Sequence, residues 1–322
     1  MRCAILDDTQ GVALSMADWA SLDGVQAHAF PDHIPAPAVA DALAGFEIVV
    51  AMRERTRFDA ALLARLPALR LLVTTGMRNV AIDLDAAAAC GVLVCGTPVL
   101  DTPTPELAWG LILSLARHIP AEAAGMRADE RWQPRIGVGL SGKALGIVGL
   151  GKIGVAMARI AAAFGMDVSA WSPNLTDARA AAAGVARAPT LAALMAVSDV
   201  VTIHMVLAPA THGLVDAPAL AAMRPGAYLV NTSRGPLVDE AALVDALSAG
   251  RIAGAALDVF DTEPLPPGHP FRTLPNVVAT PHVGYVTREN YRGFYEGAVA
   301  DIAAWQAGQP TRVLGGAARL SP

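Results

Sequence analysis

Short apolar runs alternate along most of the chain with alanine-rich stretches whose apolar residues recur every three or four positions. The runs show no polar alternation, as expected of strands buried on both faces, and the stretches between them carry the helical period. This alternation predicts a parallel α/β chain. In the first third, "CAIL", "VQAHAF", "EIVVAM", "LRLLVTT" and "VLVCGT" are predicted strands, with helices at "FDAALLARL" and "DLDAAAAC". A strong helix is predicted over "TPELAWGLILSLAR", with Pro103 and Pro105 near its first turn and Thr102 or Thr104 as N-cap. "RADERWQPRIGVGLSGK" then breaks the rhythm, being polar and without a period. A second series starts at Ala144, with strands "ALGIVGL", "DVSAW", "DVVTIHM", "AYLVNTS", "AGAALDVF" and "NVVATP". One long amphipathic helix, "TRENYRGFYEGAVADIAAWQAG", closes the pattern, and there is no repeat at solenoid periods.

A length of 322 residues exceeds one typical core, so two domains are expected. With 54% hydrophobic and 16% charged residues, the chain has the composition of large buried sheets and helices. The net charge of -5 comes from scattered acids, and Lys and Arg form no stripe, which argues against a nucleic-acid partner. Cys3, Cys90 and Cys95 form no CxxC pair, in keeping with reduced thiols and a cytoplasmic protein. "MRCAILDD" reads as a first strand and not a signal peptide, and "ELAWGLILSLA" is too short to span a membrane. A soluble protein with no membrane partner and no metal is expected.

Within "GIVGLGKIG", Gly149, Gly151 and Gly154 form GxGxxG between a predicted strand and a predicted helix. The first glycine permits the tight turn, the second admits a pyrophosphate, and the third lets helix and strand pack. The helix N-terminus then offers unsatisfied N–H donors to the anion. The next strand runs into "WSPNLT", so Ser172 stands where NAD sites carry an acid that binds the adenosine ribose. No carboxylate repels a 2′-phosphate there, and the nearest cation in sequence, Arg179, is several residues on. NAD and NADP both remain open, with a slight lean to NADP.

In a doubly wound sheet, ligands bind beyond the carboxyl ends of the strands. "AYLVNTS" ends in Arg234-Gly235, "AGAALDVF" contains Asp258 and leads to Glu263, and "NVVATP" ends in His282. Taken singly, Arg234 suits a helix cap or surface ion pair, Glu263 a solvated turn and His282 a satisfied rim histidine. Together at one rim, beside a dinucleotide fingerprint, they suit hydride chemistry better. A histidine titrates near neutrality and can move the hydroxyl proton. A carboxylate on its other nitrogen fixes the tautomer, and an arginine fork holds a substrate carboxylate.

The stretches "GKALGIVGLGKIG", "LVNTSRGPLVDEAAL", "GAALDVFDTEPLP" and "NVVATPHVG" resemble those of the D-isomer-specific 2-hydroxyacid dehydrogenases, and the resemblance covers nearly the whole chain. It implies Arg234 as substrate-orienting cation, Glu263 as partner of the histidine, His282 as general acid/base, and Asp258 near the nicotinamide. The candidate cofactor contacts are then Gly149, Gly151, Lys152, Ile153, Gly154, Ser172, Asn174, Thr232 and Asp258. The fold implied is α/β, with two Rossmann-like doubly wound parallel-sheet domains. Residues 1–100, completed by a C-terminal helix in 287–322, make a discontinuous substrate domain, and residues 101–286 bind the dinucleotide. In "TTGMRN", Gly76 and Met77 are expected to offer backbone donors to the substrate carboxylate. Met77 and Arg78 replace the family's usual second glycine and Asp there, which leaves Arg78 as either a solvated cation or a substrate contact.

The resulting expectation is an NAD(P)-dependent oxidoreductase acting on a small D-2-hydroxy acid or 2-keto acid. Two alternatives stand beside it. One is a phosphoglycerate dehydrogenase with Arg53, Arg55 and Arg78 as phosphate ligands. The other is a nucleotide-sensing corepressor-like binding protein of the same fold. Trp132, together with the apolar helix through Leu107 and Leu115, also leads us to expect a homodimer.

Overall fold

The computed structural model describes residues 1–129 and 131–316. The chain divides into two units, Met1–Leu100 with the stretch from Val286 onward, and Asp101–Tyr285. In the first unit, β1 (Arg2–Ile5), β2 (Gln26–Ala29), β3 (Ile48–Ala51), β4 (Leu71–Thr74) and β5 (Leu93–Gly96) are parallel, in the order β5-β4-β3-β1-β2. The unbroken apolar runs of β3, β4 and β5 are buried throughout, whereas the mixed "QAHA" of β2 lies at the sheet edge. Two predicted helices, Ala60–Ala64 and Leu84–Ala89, begin where Asp59 and Asp83 accept from backbone N–H groups at 3.0 and 2.9 Å.

The second unit holds β6 (Ala144–Val148), β7 (Asp167–Trp171), β8 (Ala186–Arg187), β9 (Val200–Ile203), β10 (Tyr228–Asn231), β11 (Gly254–Leu257) and β12 (Val277–Ala279). All are parallel, in the order β12-β11-β10-β9-β6-β7-β8. The chain winds outward from β6 to β8, then returns to β9 and winds the other way. Between β6 and β9, therefore, lies the switch point at which such sheets bind ligands. Residues alternate between two cores: Tyr228 and Val230 pack with the helix Pro103–Ala116, and Leu229 packs on the opposite face. Burying each such Leu or Val contributes about 1.5–3 kcal/mol.

After Tyr285 the chain re-enters the first unit. The helix Arg288–Gln306 starts at Thr287, whose hydroxyl accepts from Asn290 N at 3.3 Å. Then β13 (Val313–Gly316) pairs antiparallel with β5 and completes a six-stranded sheet. Neither β8 nor β13 was predicted, because each is a short edge strand with little apolar signal. The helix Ile119–Arg127 was missed as well, since "IPAEAAGMR" buries only Gly125. Thr102 precedes the helix Pro103–Ala116 without a side-chain cap bond, and Thr104 Oγ1 instead donates to the Gly284 carbonyl at 3.2 Å. Among the described residues, no helix is long and apolar enough to cross a membrane.

Candidate active site

Parallel register assembles the site on the second sheet. Trp171 pairs with Val148, Val148 with Ile203, Ile203 with Asn231, Asn231 with Leu257, and Leu257 with Ala279. The residue following each of these stands one step further along the carboxyl edge: Ser172, Gly149, His204, Thr232, Asp258 and Thr280. Five separate segments of sequence thus reach one level beside the glycine loop.

The loop itself is close-fitting. Gly149 has φ +101°, and a Cβ there would lie 2.4 Å from the His204 carbonyl oxygen; at Gly154 it would lie 2.3 Å from the Gly149 carbonyl oxygen. These two glycines are required by the protein's own backbone. At Gly151 a Cβ would meet no protein atom within 4 Å. Gly151 also caps the helix Lys152–Ala163 without a side-chain bond, leaving its first N–H groups without an intrahelical acceptor. Thr232 Oγ1 and His204 Nδ1, both buried, find no hydrogen-bond partner among the described residues. Open space at Gly151, free donors and two orphaned polar atoms together fit a bound dinucleotide. Lys152 Nζ sits 3.0 Å from Asp101 Oδ2, and Ile153 packs into the core beneath the loop.

His282 has a left-handed backbone, φ 55°, which is uncommon for a side chain with a Cβ. Asp258 holds it there. The buried Asp258 carboxylate accepts from Thr280 Oγ1 at 2.6 Å and from the N–H groups of Val283 and Gly284 at 2.8 Å each. Burial pushes its carboxyl up, against the pull of these three donors and of His282. The resemblance implied a place near the nicotinamide; the three bonds themselves go to the histidine loop.

His282 Nδ1 lies 2.6 Å from Glu263 Oε2, and Glu263 Oε1 accepts from Phe260 N at 3.0 Å. Burial raises the Glu263 carboxyl, but the bond and charge of His282, the Phe260 N–H and the Arg234 charge together bring it below the usual carboxylate range. Glu263 is therefore ionised at neutral pH, so Nδ1 carries a proton and Nε2 faces outward. With side chains 20% and 35% exposed, the pair adds at most about 1 kcal/mol to stability. Its value is orientation. Arg234 donates to the Ser233 carbonyl at 2.7 Å, while buried Asn231 donates to the Arg234 carbonyl at 2.9 Å and fixes the backbone there. The structure thus gathers Arg234, Glu263 and His282 at one site.

His204, which the sequence reading passed over, is no competing base. Its Nε2 lies 2.9 Å from Thr202 Oγ1, and burial pushes its pKa down to about 3, so the ring is neutral. Arg179 also differs from expectation. Its guanidinium donates to the carbonyls of Leu150 and Asn174 at 3.4 and 3.5 Å, which brings a cation to the glycine loop despite its distance in sequence.

In the first unit, the Gly76 N–H is already used, donating to Thr97 Oγ1 at 3.0 Å. The expected donor role for Gly76 is corrected accordingly. Its φ of +94° and missing side chain instead make room for Arg53, whose Nη1 would lie 2.1 Å from a Cβ at 76 and donates to the Thr75 carbonyl at 3.0 Å. Arg53 is itself left-handed, φ 49°, and its carbonyl accepts from Asn79 Nδ2 at 2.6 Å. Arg55 and Arg78 are exposed on the same loops, and Met77 N–H has no acceptor among the described residues.

The profile of the "D-isomer specific 2-hydroxyacid dehydrogenase, NAD binding domain" matches residues 109–284. The chain belongs to the D-isomer specific 2-hydroxyacid dehydrogenase family. Within it, the D-3-phosphoglycerate dehydrogenase of Mycobacterium tuberculosis is 42% identical over 241 residues, 74% of this chain and 45% of that protein. The chain thus matches less than half the length of that relative. The glyoxylate reductase of Aeropyrum pernix is 38% identical over 79% of this chain and 78% of its own length. A solved phosphoglycerate oxidoreductase from Vibrio cholerae superposes with TM-score 0.91 and 35% identity, covering 96% of this chain and 99% of that one. A nicotinamide dinucleotide is the cofactor of this dehydrogenase family domain. Its description as NAD binding gives no support to the lean toward NADP.

Proposed function

We propose that this chain transfers hydride between a nicotinamide dinucleotide and a small D-2-hydroxy acid or its 2-keto acid. The observation that carries this reading is the 2.6 Å His282–Glu263 pair on the same sheet edge as the glycine loop. A bound dihydronicotinamide supplies the hydride. His282 Nε2–H donates its proton to the substrate carbonyl oxygen, while Glu263 holds Nδ1–H and stabilises the imidazolium beforehand. Arg234 holds the substrate carboxylate and polarises the carbonyl. A panel of 2-keto acids, phosphorylated and not, assayed with NADH and NADPH in parallel, tests the reading; failure to oxidise either cofactor with any of them would overturn it. The similarity to D-3-phosphoglycerate dehydrogenases favours a phosphorylated 2-keto acid as the second reading.

NAD is the proposed working cofactor, with NADP also accepted. Ser172 follows β7, whose Trp171 carbonyl accepts from Gly149 N at 2.8 Å, and this supports a place for Ser172 and Asn174 beside the adenosine ribose. With Arg179 near and no carboxylate, a 2′-phosphate meets no repulsion. Ser172→Asp should shift kcat/KM selectivity toward NADH by about 1–3 kcal/mol, the worth of a hydrogen bond to a charged group. An unchanged ratio in the two-cofactor assay would mean that Ser172 does not face the ribose.

A homodimer is the proposed assembly. Trp132 and Ile136 are 71% and 94% exposed, beyond a helix that leaves Ile119 and Met126 in solvent. An isologous contact would cover this patch. Light scattering at micromolar concentration should return twice the chain mass, and Trp132→Glu should shift it toward the monomer.

A further inference from the structure

We infer that Glu240 and His269 are a positioning pair that fixes the Glu263 loop, and through it the orientation of His282, by way of the Phe260–Asp261 peptide. The inference rests on the proposed proton-transfer role of His282. Glu240 uses both carboxylate oxygens. Oε2 accepts from Asp261 N at 3.2 Å, and Oε1 lies 3.0 Å from His269 Nε2. The tautomer of His269 follows from its other nitrogen: Nδ1 accepts from Phe271 N at 3.2 Å, so the proton is on Nε2 and is donated to Glu240. One residue back, Phe260 N donates to Glu263 Oε1 at 3.0 Å. The two peptides flanking Phe260 are thus tied in turn, the one before it to Glu263 and the one after it to Glu240.

A third contact closes the arrangement. A Cβ at Gly235 would lie 2.1 Å from the Phe260 carbonyl carbon and 2.5 Å from Asp261 N, so the backbone beside Arg234 presses on the second of these peptides. Both partners of the pair are mostly buried, at 17% and 23% side-chain exposure, which makes the bonds fixed and not solvent-averaged. Burial is the main cause that raises the Asp261 carboxyl, whose backbone N–H is the one held by Glu240. The backbone at Phe260 therefore sets the Arg234 strand end against the loop carrying Glu263. A small displacement there moves the Glu263 carboxylate, and with it the imidazole held at 2.6 Å.

The geometry makes a demand that a merely structural carboxylate would not. Glu240 must accept on both oxygens, so Glu240→Gln sets one amide N–H₂ against a donor whichever way it turns. Removing the His269 donor relieves this, because a glutamine at 240 can then turn its oxygen to Asp261 N. For Glu240→Gln, kcat in 2-keto acid reduction should fall by roughly ten- to a hundredfold, the scale of a misplaced catalytic group. NADH dissociation, read by fluorescence, should stay within about twofold, since the glycine loop is untouched. His269→Leu alone should lose less, and the double variant E240Q/H269L should recover most of the lost kcat. Proton NMR supplies an arm that needs no turnover: the far-downfield signal of the short His282 Nδ1–H bond should weaken in Glu240→Gln and return in the double variant. Full kcat and an unchanged signal in Glu240→Gln, or a double variant no better than Glu240→Gln, would overturn the inference. If the wild type turns over no 2-keto acid, the functional reading fails while the NMR arm still decides the positioning.

Discussion

Replacing His282 with glutamine should lower kcat about a hundredfold or more, the scale of losing a general acid, and should leave NADH binding close to wild type. Glutamine can keep a hydrogen bond to Glu263 but holds no transferable proton at the position of Nε2. The proposed cofactor contacts belong to other strand ends, so dissociation of NADH measured by fluorescence should move little. Near-full turnover by His282→Gln or His282→Ala would remove the assignment. The carboxylate partner adds a pH signature. Because the Glu263 pKa is lowered on folding, the stabilisation it contributes is fully present above its unfolded value and is lost as pH falls through the lowered one. Acid titration of the wild type should therefore show a stability loss below the usual carboxylate range that Glu263→Gln lacks.

Arg234→Lys is the second large effect. Lysine keeps the charge but not the planar fork, so it can bond one carboxylate oxygen where arginine bonds two. Losing one charge-assisted bond of about 1.5–3 kcal/mol predicts a fall in kcat/KM of roughly ten- to a hundredfold. The fold should be spared, because Asn231 grips the Arg234 carbonyl and not its side chain. Thermal unfolding of the variant within a few degrees of wild type, together with the kinetic loss, would assign Arg234 to substrate. Full activity would reduce it to a point charge.

Most of the second sheet was legible in the sequence because fully buried parallel strands leave unbroken apolar runs bounded by polar residues. "DVSAW" gave β7 to the residue, and the ends of β10, β11 and β12 pointed to Arg234, Asp258, Glu263 and His282. What stayed hidden depends on contacts remote in sequence. Gly76 looks like an open donor until Thr97 is found accepting from it. That Asp258 anchors the histidine loop shows only once Val283 and Gly284 are seen to converge on it. Arg179 reaches the glycine loop only because a helical turn folds it back toward Leu150. The Glu240–His269 pair spans 29 residues and carries no local pattern. The parallel register, which puts Ser172, Gly149, His204, Thr232, Asp258 and Thr280 on one level, likewise joins segments remote in sequence.

The antiparallel pairing of β13 with β5 has a consequence for synthesis on the ribosome. Once Tyr285 has emerged, every strand of the second sheet is available, and that unit can fold while the chain is still growing. The first sheet has to wait. Its five parallel strands are made within the first hundred residues, but the strand that covers β5 follows only after the whole second unit. Throughout that interval the apolar "LVCG" edge, buried in the finished fold, offers unpaired N–H and C=O groups to any other nascent strand. The unit that begins first is completed last, and its exposed edge is where association between growing chains, or a need for chaperone cover, would concentrate.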